Sequence, residues 1–445
     1  MTQRKNRWGR SVLCTCLIIA MMALLAAGAA ATELEPKRDA RGQWWYVLEG
    51  GKAKIMRKEE APIGDLLIPD ELDGYIVSSI GEGAFNLCSG LTSVTIPDSV
   101  TQIGDRAFNL CSGLTSVTIP DSVTSIGSNA FNSCSGLTTI SIPASITSIG
   151  FNPFANCPLL YITVSSNNMM YTDIDGILFD KQQTMIVSYP CAREGAYTIP
   201  DGVVLIGGGA FAACGGLTNV TFPDGVTSIG SSAFNSCSGL TNITIPASTI
   251  NIGYNPFVNC PLSYINVSSS NPTYTHIDGV LFDKHQKMIV SYPCAKQGIY
   301  VIPDGVVLIG AGAFSACNSL TSIMIPNSVT SIGDEAFAWC SGLTSVTIPD
   351  SVTSIGNNAF SSCSGLTSIA IPNSITSIGD FAFAGCSGLT SVTIPDSVTS
   401  IGKELFFGCG EVILMVSEGS YAEQYAKDNG IVCVFINNDT SWLGS

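Results

Sequence analysis

Charge is scarce in this chain and histidine is almost absent. Of 445 residues, 12% are charged and two are histidine, His276 and His285. Nineteen basic residues stand against 34 acids, and no long basic run follows the first ten positions. Such a balance offers little to neutralise phosphates, which argues against nucleic acid and anionic membrane surfaces as partners. Both histidines lie in one segment, and the acids recur mainly in Pro-Asp turns. No convergent set of general acids and bases emerges. We therefore expect no enzyme, no cofactor and no metal.

Long apolar runs are equally rare. The one that stands out, Val12 to Ala26, follows Arg4, Lys5, Arg7 and Arg10 and precedes Ala29-Ala30-Ala31. That order is a secretory signal with cleavage before Thr32, an uncleaved membrane anchor being the competing reading. The four basic residues of 1–31 leave fifteen against 34 acids in the rest, a net charge of −19. After cleavage we expect no membrane insertion and an extracellular or cell-surface location.

What is abundant is repetition. An Ile-Gly pair recurs twelve times, from Ile80 to Ile401, with Phe five residues on and Cys three beyond that. Most units continue with Leu and an apolar-x-x-apolar-x-apolar run such as Leu91, Val94 and Ile96. A period of about 23 residues means stacked units that bury their apolar faces on one another. Val94 and Ile96 share one face of a short strand, with Ser93 and Thr95 on the other. Pro97 closes the strand, and a second extended piece reaches Ile103. The spacing Ala107-Phe108-x-x-Cys111-x-x-Leu114 predicts a helical turn.

Two insertions, 165–198 and 268–301, copy each other 103 residues apart, as Cys191 and Cys294 show. Each reads as a β-hairpin turning at Asp-Lys-Gln/His-Gln. Asp173-Ile-Asp175-Gly176 also opens like a calcium loop, but Leu178 and Phe179 follow where oxygen ligands belong, so a hairpin turn is the better reading. Without Cys14 and Cys16, fifteen cysteines remain. The odd count leaves at least one thiol without an intramolecular partner. Layers about 4.8 Å apart put neighbouring repeat cysteines within disulfide reach. Parallel side chains in a packed core favour free buried thiols instead.

The divisions are a signal peptide 1–31, an N-terminal β-hairpin cap 32–78, a solenoid 79–417 and a C-terminal helical cap 418–445. Trp44 and Trp45 suit covering the first layer better than holding a sugar. Ser420 N-caps a helix in which Tyr421 and Tyr425 share a face, stopped by Asn429-Gly430.

The IPDSVTSIGxxAFxxCSGLTSVT unit, the DGxLFDK…SYP insertions and the SYAEQYAKDNG segment together resemble the BspA-type leucine-rich repeat proteins of bacterial surfaces. The resemblance covers residues 43–433. It implies an α/β repeat fold, a right-handed leucine-rich-repeat solenoid of about twelve layers with two hairpin insertions and terminal caps. It also implies adhesion to host proteins or other microbes, with no catalytic residue to carry over. A surface-layer or matrix role is the alternative. Function should reside at outward positions, since the Ile, Phe and Cys columns are core. Candidate binding residues are Ser93, Thr95, Thr118, Thr221, Thr244, Thr347 and Thr393 on the strands. Tyr171, Tyr189, Tyr274 and Tyr292, beside charges in the insertions, complete the set. The expected partners are extracellular proteins or cell surfaces, met by a monomer.

Overall fold

The computed structural model describes residues 35–436. The signal-peptide expectation for 1–31 lies outside them.

Each layer has three sides. On the first, strands such as Leu91–Thr95 and Ser116–Thr118 pair in parallel, Val94 opposite Val117. On the second, two-residue strands such as Gln102–Ile103 and Ser125–Ile126 do the same, Ile103 opposite Ile126. The predicted helical turn on the third side is not there. The N–H groups of Ala107 and Asn109 close turns onto Gly104 and Arg106, while those of Arg106, Phe108 and Leu110 donate to Ser128, Ala130 and Asn132 of the next layer. This alternation needs left-handed backbone at Arg106 (φ +53°) and Leu110 (φ +61°), which interrupts any helix. Among the described residues the one α-helix is Tyr421–Asp428.

Close stacking explains the glycine after each Ile. A Cβ on Gly127 would sit 2.4 Å from the Asp105 nitrogen of the preceding layer, closer than real atoms approach. Inside, the phenylalanines stack ring on ring. Phe85, Phe108 and Phe131 have centroids 5.2 and 5.3 Å apart and nearly parallel planes. Full burial of each such ring contributes about 1.5–3 kcal/mol.

The insertions interrupt this core in an unexpected way. Each is a three-stranded antiparallel sheet, the first being Tyr171–Ile174, Ile177–Asp180 and Met185–Ser188. A two-residue turn at Asp175-Gly176, both with positive φ, adds the strand that the sequence reading omitted. Met185–Ser188 then pairs in parallel with Leu205–Ile206, so the insertion starts a new two-residue ladder. Its two faces serve different cores. Tyr171, Leu178 and Val187 pack into the core of the preceding layers, whereas Ile177, Phe179, Ile186 and Tyr189 join that of the following ones. The second insertion repeats this, with Tyr274 and Leu281 facing back and Val280, Phe282, Ile289 and Tyr292 facing forward. The insertions are walls that divide the stack into three cores.

One asparagine anchors each wall. Asn271 is buried, its Nδ2 donating to the carbonyls of Pro246 (2.7 Å) and Thr249 (2.9 Å) while its Oδ1 accepts from the N–H groups of Thr273 (2.8 Å) and Tyr274 (2.7 Å). Asn168 makes the equivalent four bonds. Removing the amide strands two carbonyls and two N–H groups away from water. Asn271→Ala should therefore lower stability by about 3 kcal/mol, read as a shift in the urea midpoint at constant slope.

The cysteine column does more than fill space. Cys111 donates its thiol hydrogen to the Phe85 carbonyl (3.1 Å), Cys134 to Phe108 (3.2 Å) and Cys340 to Phe314 (2.9 Å), each reaching back one layer. Most thiols are free, but one pair is not. Cys294 of the second insertion is disulfide-bonded to the repeat cysteine Cys317, with Cα atoms 4.4 Å apart. The expectation of an all-thiol ladder fails there, where the wall sets an extra cysteine beside the column. In the first insertion the equivalent Cys191 and Cys214 have sulfurs 2.9 Å apart and are both free.

At the start of the stack, Trp44–Glu49 and Lys52–Lys58 form an antiparallel hairpin whose second strand pairs in parallel with Tyr75–Ile80. Trp44 lies edge-on to Phe85, centroids 6.2 Å apart. Towards the other end, the Ser420 side chain caps the helix by accepting from the Glu423 N–H. Tyr425 is buried and its hydroxyl accepts from the Leu405 N–H (3.1 Å), whereas Tyr421 is exposed. The strand Cys433–Phe435 follows, parallel to Ile413–Val416.

Candidate interaction surface

The tyrosines nominated as binding residues belong to the walls and are buried. Tyr171 and Tyr274 turn inward and accept hydrogen bonds through their hydroxyls from the N–H groups of Ile149 and Ile252, both at 3.0 Å. Tyr189 and Tyr292 stack on Phe211 and Phe314, centroids 4.8 and 4.9 Å apart, each opening a new phenylalanine column. Burial raises the phenol of Tyr292 to about 12. None of the four offers its ring to a partner. A tyrosine beside charges looks exposed in sequence because its polar tip hides how much ring it can bury.

The strand hydroxyls stand outward, but not as one sheet. Ser93, Thr95 and Thr118 share the sheet built from Gly64–Leu67, Leu91–Thr95 and Ser116–Thr118. Thr221 pairs with Thr198, and Thr244 with Asn266, in separate two-stranded sheets. Thr347 and Thr393 lie in a seven-stranded sheet from Gly298–Val301 to Cys433–Phe435. The walls account for part of this division, although Thr221 and Thr244 lie between the same two walls.

Hydrogen bonding separates working hydroxyls from idle ones. Thr115, Thr344 and Thr367 donate to the Thr92, Thr321 and Thr344 carbonyls, each one layer back, so their hydroxyls serve the stack. Ser93 donates to Asp65 (2.6 Å), and hydroxyl bonds from Ser93 and Thr92 hold that carboxyl below its usual range. Among the described residues, Thr95, Thr118, Thr221, Thr244, Thr347 and Thr393 make no side-chain hydrogen bond within the chain. Thr393 is half-buried, and the other five are exposed.

Apolar residues outside the nominated set complete the surface. Across the seven-stranded sheet one outward row runs Val301, Met324, Thr347, Ala370, Thr393, Met415 and Val434 in paired register. Its neighbour begins at Ile299, 67% exposed, and Met324 is 59% exposed. Ile413, Met415, Val434 and Phe435 are also open at the far end. The signal was available, because Ile299, Val301 and Met324 occupy positions where other layers carry Ser or Thr. The face is apolar at both ends, with unbonded hydroxyls between.

The comparisons with known proteins agree with this geometry. The model of the BspA type leucine rich repeat region matches residues 68–185, 191–289 and 292–413, in six copies. A leucine rich cell surface protein from Faecalibacterium prausnitzii A2-165, of solved structure, is 34% identical. The match covers 89% of this chain and 98% of that one, with a TM-score of 0.51. A leucine-rich repeat protein from Eubacterium ventriosum is 27% identical over 78% of this chain and 93% of its own, with a TM-score of 0.44. Among curated proteins there is no match. No helix of the described residues is long and apolar enough to cross a membrane. With parallel ladders of 23-residue layers in the structure and the family model spanning most of the sequence, this chain belongs to the BspA-type leucine-rich repeat proteins.

Proposed function

We propose that this chain is an extracellular protein-binding solenoid. It adheres to host proteins or other cells through the outer face of its seven-stranded sheet. The observation that carries this reading is the row of unbonded hydroxyls bracketed by exposed Ile299, Val301 and Met324 at one end and Ile413 and Met415 at the other. Apolar patches rimmed by hydroxyls suit protein contact, since a partner can bury the former and hydrogen-bond the latter. The leader-like pattern of residues 1–31 and the surface location of the Faecalibacterium relative support export.

The test is saturable binding of the monodisperse protein to a panel of extracellular-matrix proteins and whole cells. Met324→Lys together with Thr347→Lys should weaken that binding about tenfold or more while leaving the melting temperature unchanged. Equal binding by the double variant would remove this face from consideration. A structural matrix role is favoured by one observation, the open apolar strand Cys433–Phe435, which could pair with a second copy. In that case size-exclusion profiles should shift with concentration, and soluble partners should fail to bind.

A further inference from the structure

The turn side carries a different kind of surface. At each wall the turns close directly across the insertion. A Cβ on Gly208 would strike Phe151 from the layer before the first wall, and one on Gly312 would strike Asn255 from the layer before the second. The junctions are copies 103 residues apart, so they can be compared position by position. Where the first has Phe151, Gly215, Ser232 and Ser236, the second has Tyr254, Asn318, Glu335 and Trp339. Each of these four exchanges adds an aromatic ring or a hydrogen-bonding group. All four residues line one open cleft of about 540 Å³, together with Asn259.

Trp339 is the odd member. Its backbone has the left-handed conformation (φ +59°) that this position adopts in every layer, but most layers place Ala, Ser, Asn or Gly there and two place Leu. Half of the indole is exposed, at 50%, and among the described residues it stacks on no other ring. Packing does not explain it. The groups around it are polar and ready to bond. Asn318 Oδ1 accepts from the Ser341 N–H (3.1 Å) and hydroxyl (2.8 Å), which fixes the amide and leaves its Nδ2 hydrogens free. Asn259 is exposed and makes no side-chain hydrogen bond among the described residues. Glu335 faces the Tyr254 hydroxyl.

We propose that this cleft binds a saccharide, with the apolar face of a pyranose ring on Trp339 and its hydroxyls bonded by Glu335, Asn259 and Asn318. A sugar ring has one C–H face and a rim of hydroxyls, which matches a single open indole bordered by amides and one carboxylate. The cleft lies on the turn side, away from the strand face.

The experiment is saturation-transfer NMR on the whole protein. The probes are glucose, galactose, N-acetylglucosamine and their β-linked trisaccharides, with a trilysine peptide alongside. At least one saccharide should bind saturably, with Kd on the order of 1 mM. Trp339→Ser, which installs the residue of the first junction, should weaken it about tenfold or more at an unchanged melting temperature. Glu335→Ser, on a different part of the turn, should weaken it as well and keeps the test open should the first variant fold poorly. Saccharide binding unchanged in folded variants, no saturable saccharide binding, or binding of trilysine in its place would overturn the proposal.

Discussion

Raising the pH from 9 to 11 should unfold this protein, and the cysteine column is the reason. Cys340 is wholly buried, and burial pushes its thiol up to about 12 from an ordinary value of 9.0. Burial raises Cys111, Cys363 and Cys386 further in the same direction, with neighbouring thiols adding to the effect. A group whose folded pKa exceeds its unfolded pKa contributes fully below the unfolded value. That contribution is lost as the pH climbs toward the folded one. Here the window opens near pH 9 and runs to about 12. Each pH unit within it costs about 1.4 kcal/mol per thiol. Three such thiols at pH 11 already remove about 8 kcal/mol, a large part of the total stability of an ordinary domain. Tyr46 and Tyr197, both raised to about 12 by burial and their neighbours, act in the same direction once the pH passes 10. Far-UV circular dichroism across pH 7–12 should show a steep loss of strand signal above pH 9. A signal flat to pH 11.5 would contradict this account of the cysteine column.

Much of the fold is legible in the sequence because each layer repeats the same physical problem. Ile103, Phe108, Cys111 and Leu114 recur in register since every layer must cover the one before it. Their burial follows from spacing alone. The third side was misread because its backbone answers to the next layer rather than to its own residues. Nothing in the side chains of Arg106 or Leu110 asks for a left-handed conformation, and it is the bond to Ser128 or Asn132 that imposes it. The insertions left a clue that went unused. Ile177-Leu178-Phe179 is a continuous apolar run, the pattern of a strand buried on both faces. Nominating Tyr171, Tyr189, Tyr274 and Tyr292 for their charged neighbours passed over it. As to the candidate site, the hydroxyl columns follow from period-two alternation. Which hydroxyls remain unbonded depends on contacts 23 residues away, and sequence alone does not show them.

Those walls decide where function can reside. If the insertions were arms, their tyrosines would be the natural contact residues. As partitions they are spent on the core, and the strand face and the turn-side cleft are the surfaces proposed above to meet partners. The distinction can be measured on two adjacent residues. Leu281 faces the preceding core and Phe282 the following one, and both are fully buried. On an arm with one wet face, an aspartate at one of these positions would be tolerated. On a wall, each buries a carboxylate with no partner and removes a large apolar group, so both should be severely destabilising, by about 4 kcal/mol or more.

The urea midpoints of Leu281→Asp and Phe282→Asp, measured side by side with the unaltered protein, test this most directly. Walls between cores predict a large drop for both variants. A near-normal midpoint for either one would contradict the walled stack and return the hairpins to the surface as candidates for binding.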